Sequence, residues 1–121
     1  MSTVFEVWLD EERQVIRQRM SNEPNVDQFL QMVDETQKCV ERLRCPADVR
    51  ILTDGVWLGR MHKSVRAHAA AQLRRPNLKR MAIVNPNRVV RILMRFLSVA
   101  AGVDKIRTFP NEAEALRWLL S

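Results

Sequence analysis

The stretch that most constrains what this chain can fold into is Lys79 to Asn87, KRMAIVNPN. Met81, Ala82, Ile83 and Val84 form a short continuous apolar run, the pattern of a strand buried on both faces at the middle of a parallel sheet. An Asn-Pro-Asn turn closes it. Val49, Ile51, Leu52 and Thr53 ahead of Asp54-Gly55 repeat the form, as do Ile106, Thr108 and Phe109 ahead of Pro110-Asn111. A short strand, a turn and then a helical pattern, recurring along the chain, predicts an α/β domain.

The chain before this stretch is of a different kind. Val4 to Leu9 and Val15 to Met20 are β-rich and flank Asp10-Glu11-Glu12, which predicts an antiparallel hairpin with Phe5, Val7 and Leu9 on one face and Trp8 on the other. Asn25 then reads as a helix N-cap with Gln28 three residues on. Val26, Phe29, Leu30, Val33, Val40 and Leu43 recur at helical spacing, so the spacing predicts one amphipathic helix over 26–43, ended by Cys45-Pro46.

After the strand at 48–53, Leu58, Met61, Val65, Ala69 and Leu73 mark a second helix, with Arg60, Lys63 and Arg74 on its opposite face. Val89, Ile92, Leu93, Phe96 and Ala100 mark a third, carrying Arg91 and Arg95 on its outer side and Gly102 at its C-terminal cap. A last strand at 105–109 leads through Asn111 and Glu114, an Asn-x-x-Glu capping pattern, into a helix with Leu116, Leu119 and Leu120 inward. The predicted order is ββαβαβαβα. It describes one domain over residues 1–121, with a five-stranded, mixed, mostly parallel sheet and right-handed crossovers.

At 121 residues such a domain buries a core large enough to need no staple. Cys39 and Cys45 suit neither a disulfide framework nor a zinc site, which points to two reduced thiols and a cytoplasmic protein. No apolar run approaches the roughly 18 residues of a membrane span. His62 and His68 are six apart on one predicted helix and do not share a face, so no metal pair is expected. There is no Gly-rich phosphate loop and no catalytic constellation, and neither a cofactor nor an enzymatic activity is expected.

Charge is unevenly spread. Residues 1–45 hold six Lys/Arg against nine Asp/Glu, a net −3, whereas residues 46–121 hold fourteen against five, a net +9. Ten basic residues and no acidic one lie between Arg60 and Arg95. The asymmetry is compatible with an anionic partner or with a solvated, solubilising surface. Nucleic acid is disfavoured because the chain has no tyrosine and no recognition motif.

With the order in place, the chain resembles the SpoIIAA-like branch of the STAS superfamily. The hairpin, the strand Arg50 to Gly55, the strand KRMAIVNPN and the closing segment IRTFPNEAEALRWLL carry the likeness, the last through Phe109, Glu112, Glu114, Ala115, Trp118 and Leu119. The resemblance implies a bacterial regulatory or signal-transduction module that binds protein. In anti-anti-sigma members of that family a Ser or Thr at the start of the helix after the third strand is phosphorylated. The corresponding segment, Asp54 to Arg60, has no hydroxyl residue, so the resemblance implies a member without that switch.

Ligands of open α/β sheets gather at the strand C-termini, which selects the turns after the parallel strands. Asp54, Gly55, Trp57, Arg60, Lys63, Asn85, Asn87, Arg88 and Arg91 are the candidate binding residues. Turn and cap chemistry alone also accounts for Asp54, Asn85 and Asn87. Trp57 suits either a partner-binding anchor or a lid over the sheet edge. The leading expectation is a protein partner met by Trp57 within a cationic rim. The alternative is a small acidic ligand or lipid in an apolar pocket of a few hundred Å³, its head held by Arg60 or Arg88. A homo-oligomer is compatible with both.

Overall fold

In a computed structural model, residues 5–20, 24–54, 63–84, 91–92, 95–96, 99, 102 and 104–121 are described. Five strands, β1 (Phe5–Asp10), β2 (Val15–Met20), β3 (Val49–Asp54), β4 (Leu78–Val84) and β5 (Ile106–Phe109), form one sheet in the order β1-β2-β3-β4-β5. Three helices are described: α1 (Val26–Glu41), α2 (Lys63–Leu73) and α3 (Glu112–Leu119). β1 and β2 pair antiparallel and every later pair is parallel. The expected mixed sheet with an N-terminal hairpin is therefore the architecture. One placement differs: the apolar run of KRMAIVNPN lies in β4, and β3 is the middle strand.

The hairpin forms without an Asn-Gly turn. Glu11 to Gln14 make a four-residue connection in which Gln14 takes the left-handed conformation, φ 58°. Asp10 Oδ1 accepts from the Arg13 N–H at 3.1 Å, closing a local turn. Gln14 is held from two sides, its Nε2 donating to Glu11 O and its Oε1 accepting from the Arg44 N–H at 2.9 Å. The turn is thus braced by the segment after α1. Arg42 adds an ion pair to Glu11 at 2.7 Å.

α1 begins with a complete capping box: Asn25 Oδ1 accepts from the Gln28 N–H at 2.8 Å and Gln28 Oε1 accepts from the Asn25 N–H at 3.0 Å. Phe29, Met32, Cys39 and Val40 form its buried stripe. Leu30, expected inward, is exposed, because it lies one position round the helix from Phe29, off that stripe. The helix stops at a cap on Arg42, shortly before Pro46. Asn111 caps α3 in the same manner, accepting from the Glu114 N–H at 2.9 Å.

Strand alternation divides the core between the two faces of the sheet. Ile16, Val49, Ile51 and Ile83 point to the face covered by α1 and α2, whereas Val15, Leu52, Ala82 and Val84 point to the face covered by α3. Consecutive parallel strands joined by right-handed crossovers place their helices on one face, and α1 and α2 do share one. Phe5, Val7 and Leu9 pack against that same cluster while Trp8 faces out. Each fully buried Ile or Leu contributes roughly 1.5–3 kcal/mol of hydrophobic stabilisation. Leu119 is one of these; Leu120, expected inward, is the helix C-cap and stays exposed.

Candidate partner-binding surface and interior cavity

The parallel register brings the C-terminal ends of three strands level. Asp54 pairs with Val84, and Val84 with Phe109, so the chain leaves β3, β4 and β5 side by side. Of the candidate binding residues, Asp54 closes β3 half-buried, Lys63 is exposed at the first described residue of α2, and Arg91 is exposed. Gly55, Trp57, Arg60, Asn85, Asn87 and Arg88 lie outside the described residues, as does His62.

Between β4 and β5, residues 91–92, 95–96 and 99 are helical. Ile92 and Phe96 were expected on the inner side of this helix. They are 63% exposed, and Val99 is 78% exposed. Positions 92, 96 and 99 share one helix face, so the three make an apolar stripe at the surface. Arg91 and Arg95 are exposed beside it. The sequence carries a sign of this: from Val89 to Ala101 only Arg91, Arg95 and Ser98 are polar. A helix that is apolar nearly all round presents apolar residues outward whichever way it packs, and periodicity cannot choose its face. Gly102, at φ +68° with its N–H donating to Val99 O at 3.1 Å, ends the stretch as expected.

Several basic residues are committed to the fold. Arg80 Nη1 donates to Trp118 O and to Ser121 Oγ, and its guanidinium stands 5.1 Å from the Trp118 ring centre. Arg107 stands 5.2 Å from the same ring, which also packs on Phe109 at 5.5 Å. Arg75 Nη1 donates to Gln37 Oε1 at 3.0 Å and Lys105 Nζ to Arg75 O at 3.0 Å. Trp8, opposite Arg17 in the hairpin, carries that guanidinium at 5.5 Å and that of Arg19 at 5.9 Å. Arg17 in turn pairs with Glu112 on α3. These stacks were not foreseen, because they join residues far apart in sequence or across strands.

A cavity of about 90 Å³ lies between α1, α2 and the sheet. Phe29, Met32, Val40, Ile51, Leu73 and Met81 are among the apolar residues that line it, and Gln37, Gln72, Arg75 and Asn77 border it. It is smaller than the pocket of a few hundred Å³ expected for an acidic ligand or lipid, and among the described residues the arginine bordering it is Arg75. Among the described residues no group of three or more His, Cys, Asp or Glu is placed to hold a metal ion. Cys39 is buried and Cys45 exposed, both as free thiols.

The fold and surface together define a small α/β module with a mixed sheet, an N-terminal hairpin and helices on both faces. The chain belongs to the SpoIIAA-like family, whose model matches residues 15–120. Searches of curated proteins and of solved structures found no match. The family suggests a regulatory protein-interaction module. Among the described residues no helix is long and apolar enough to cross a membrane.

Proposed function

We propose that this protein is a non-enzymatic regulatory module of the bacterial cytoplasm that binds a protein partner through the surface beside the C-terminal ends of β3 and β4. Ile92, Phe96 and Val99 form the apolar centre of that surface and Arg91 and Arg95 its cationic flank. Lys63 and Asp54 belong to it, with Gly55, Trp57, Arg60, Asn85, Asn87 and Arg88. The observation that carries this reading is the outward Ile92–Phe96–Val99 stripe, since three large apolar side chains on one helix face lose hydration cost only when something covers them. Aromatic and arginine side chains in that arrangement are the usual anchors of an interface.

The net charge of +9 after residue 45 sets the partner's chemistry: an apolar pocket ringed by Asp and Glu. A photo-crosslinking amino acid at position 96, expressed in the native cells, tests this. The expected result is one discrete adduct with another protein, lost when Arg91 and Arg95 are both changed to Glu. Adducts made only with a second copy of the chain, or only with lipid, would overturn the reading.

A further inference from the structure

At the sheet end of the cavity stands a polar side chain with one unmet acceptor. Gln18 on β2 is 7% exposed and lines the cavity. Its Nε2 donates to Thr36 Oγ1 at 2.9 Å, and Thr36 Oγ1 donates to Met32 O at 2.8 Å. A hydroxyl has one hydrogen, and that of Thr36 is committed to Met32, so Thr36 can only accept from Gln18. The amide orientation follows, and Gln18 Oε1 is left as an acceptor without a partner among the described residues.

The neighbouring strand repeats the pattern behind the cavity wall. Thr53 on β3 is the register partner of Gln18, is fully buried, and its Oγ1 also lacks a partner among the described residues. Of the two orphaned polar atoms on adjacent strands, that of Gln18 belongs to a residue lining the cavity with Phe29, Met32, Ile51 and Met81, and a buried polar group left without a partner is costly. A lone buried acceptor has lost its hydration without compensation, and a bound donor restores it.

From this juxtaposition we infer that the cavity is a binding site for a small hydroxylated aliphatic molecule, its hydroxyl donating to Gln18 Oε1 and its carbon chain lying against Met32, Ile51 and Met81. The volume sets the size. A dry cavity of about 150 Å³ takes up benzene, so about 90 Å³ holds a chain of a few carbons. The bordering Arg75 provides for an acidic group on the outer end of a longer hydroxylated chain, and Gln72 and Asn77 for a neutral one. This site is separate from the Ile92–Phe96–Val99 surface and does not rest on it.

The test is a titration of protein labelled with ¹³C at the methionine methyls, following Met32 and Met81. Butan-1-ol, diethyl ether and n-pentane match in heavy-atom count and differ in the donor. Saturable shifts at both methyls, with butan-1-ol binding about tenfold tighter than the ether, are expected from one hydrogen bond to a buried acceptor. In Gln18→Leu the preference should fall to within about twofold, because the acceptor is gone. If Gln18→Leu does not fold, the contrast among the three probes on the unaltered protein still decides. Equal affinity for all three would overturn the inference, and so would no saturable shift, which would mean a cavity holding water alone. Adding 8-hydroxyoctanoate separates two sources of the hydroxyl. Tighter binding than butan-1-ol, weakened by Arg75→Gln, identifies the end of a longer acid; otherwise the ligand is the small alcohol itself.

Discussion

The guanidinium of Arg80 lies 5.1 Å from the ring centre of Trp118 and donates to the carbonyl oxygen of that same residue. A second donation, to Ser121 Oγ at 2.6 Å, ties the end of the chain to β4. One side chain thus adds a charged donor to the Trp118 carbonyl, which also accepts from the Ser121 hydroxyl at the C-terminus of α3, and covers the tryptophan that packs α3 on the sheet. Arg80→Met keeps the aliphatic stem and removes the donors. It should cost about 1–3 kcal/mol in urea unfolding, while Arg107→Met, which loses only a stacking contact, should cost under about 1 kcal/mol. Equal losses would show that stacking alone carries the effect.

Thr53 and Ile83 are neighbours in register and both fully buried, yet they should respond oppositely to truncation. Ile83→Ala opens a cavity among packed side chains and should destabilise by about 2–5 kcal/mol. Thr53→Val replaces an unpartnered hydroxyl by a methyl of the same shape, so stability should hold or rise by up to about 1 kcal/mol. Thermal or urea unfolding of the two variants reads both outcomes.

Acid should loosen the hairpin through Asp10. Burial alone would push its carboxyl up, but the backbone and side-chain hydrogen bonds from Arg13, with the charges of Arg13 and Arg17, outweigh it and hold the carboxyl below its ordinary 3.8. A carboxylate whose folded value is depressed stabilises fully above the unfolded value, and that contribution is lost as pH falls through the folded one. The stability difference between the wild type and Asp10→Asn should therefore be present at pH 6 and shrink below about pH 4. A difference unchanged at pH 3 would mean that the Arg13 contacts do not depend on the charge.

The two thiols should differ in reactivity. Burial raises the Cys39 thiol above its ordinary range, the nearby Arg42 opposing and Glu35 adding to the effect. Cys45 is exposed. A thiol reagent at neutral pH should label one cysteine in the native protein and both in denaturant, and Cys45→Ser should abolish native labelling. Fast labelling of Cys39 in the native state would mean that α1 opens readily.

Trp57→Ala should weaken partner binding about tenfold or more while leaving the unfolding midpoint unchanged, as an interface anchor does. A drop in stability with binding intact would make Trp57 a packing residue. Calorimetry with the crosslinked partner and a thermal melt of the same preparation distinguish the two.

Much of the fold could be read from local pattern. The capping box at Asn25 and Gln28, the cap at Asn111, the left-handed Gly102 and the alternation of Phe5, Val7 and Leu9 against Trp8 are short-range features, and short-range chemistry writes them directly into neighbouring residues. The site was less legible. Asp54, at the end of β3, and the exposed Lys63 and Arg91 stand where sequence pattern puts them, whereas Ile92 and Phe96, which the same pattern assigns to the core, are exposed. Gln18, within a strand of mixed character, gave no sign that it would face a cavity.

By itself the sequence determined the order of elements, the caps that begin α1 and α3, and the two-sided burial of the strands, because each follows from periodicity and from hydrogen bonds within a few residues. Only the tertiary structure decided that Ile92, Phe96 and Val99 meet water. It alone set Arg80 on Trp118 and left Gln18 Oε1 and Thr53 Oγ1, on register-paired residues of adjacent strands, without partners among the described residues. Those outcomes depend on strand register and on which helices share a face of the sheet, and such long-range geometry is fixed by packing across the whole domain.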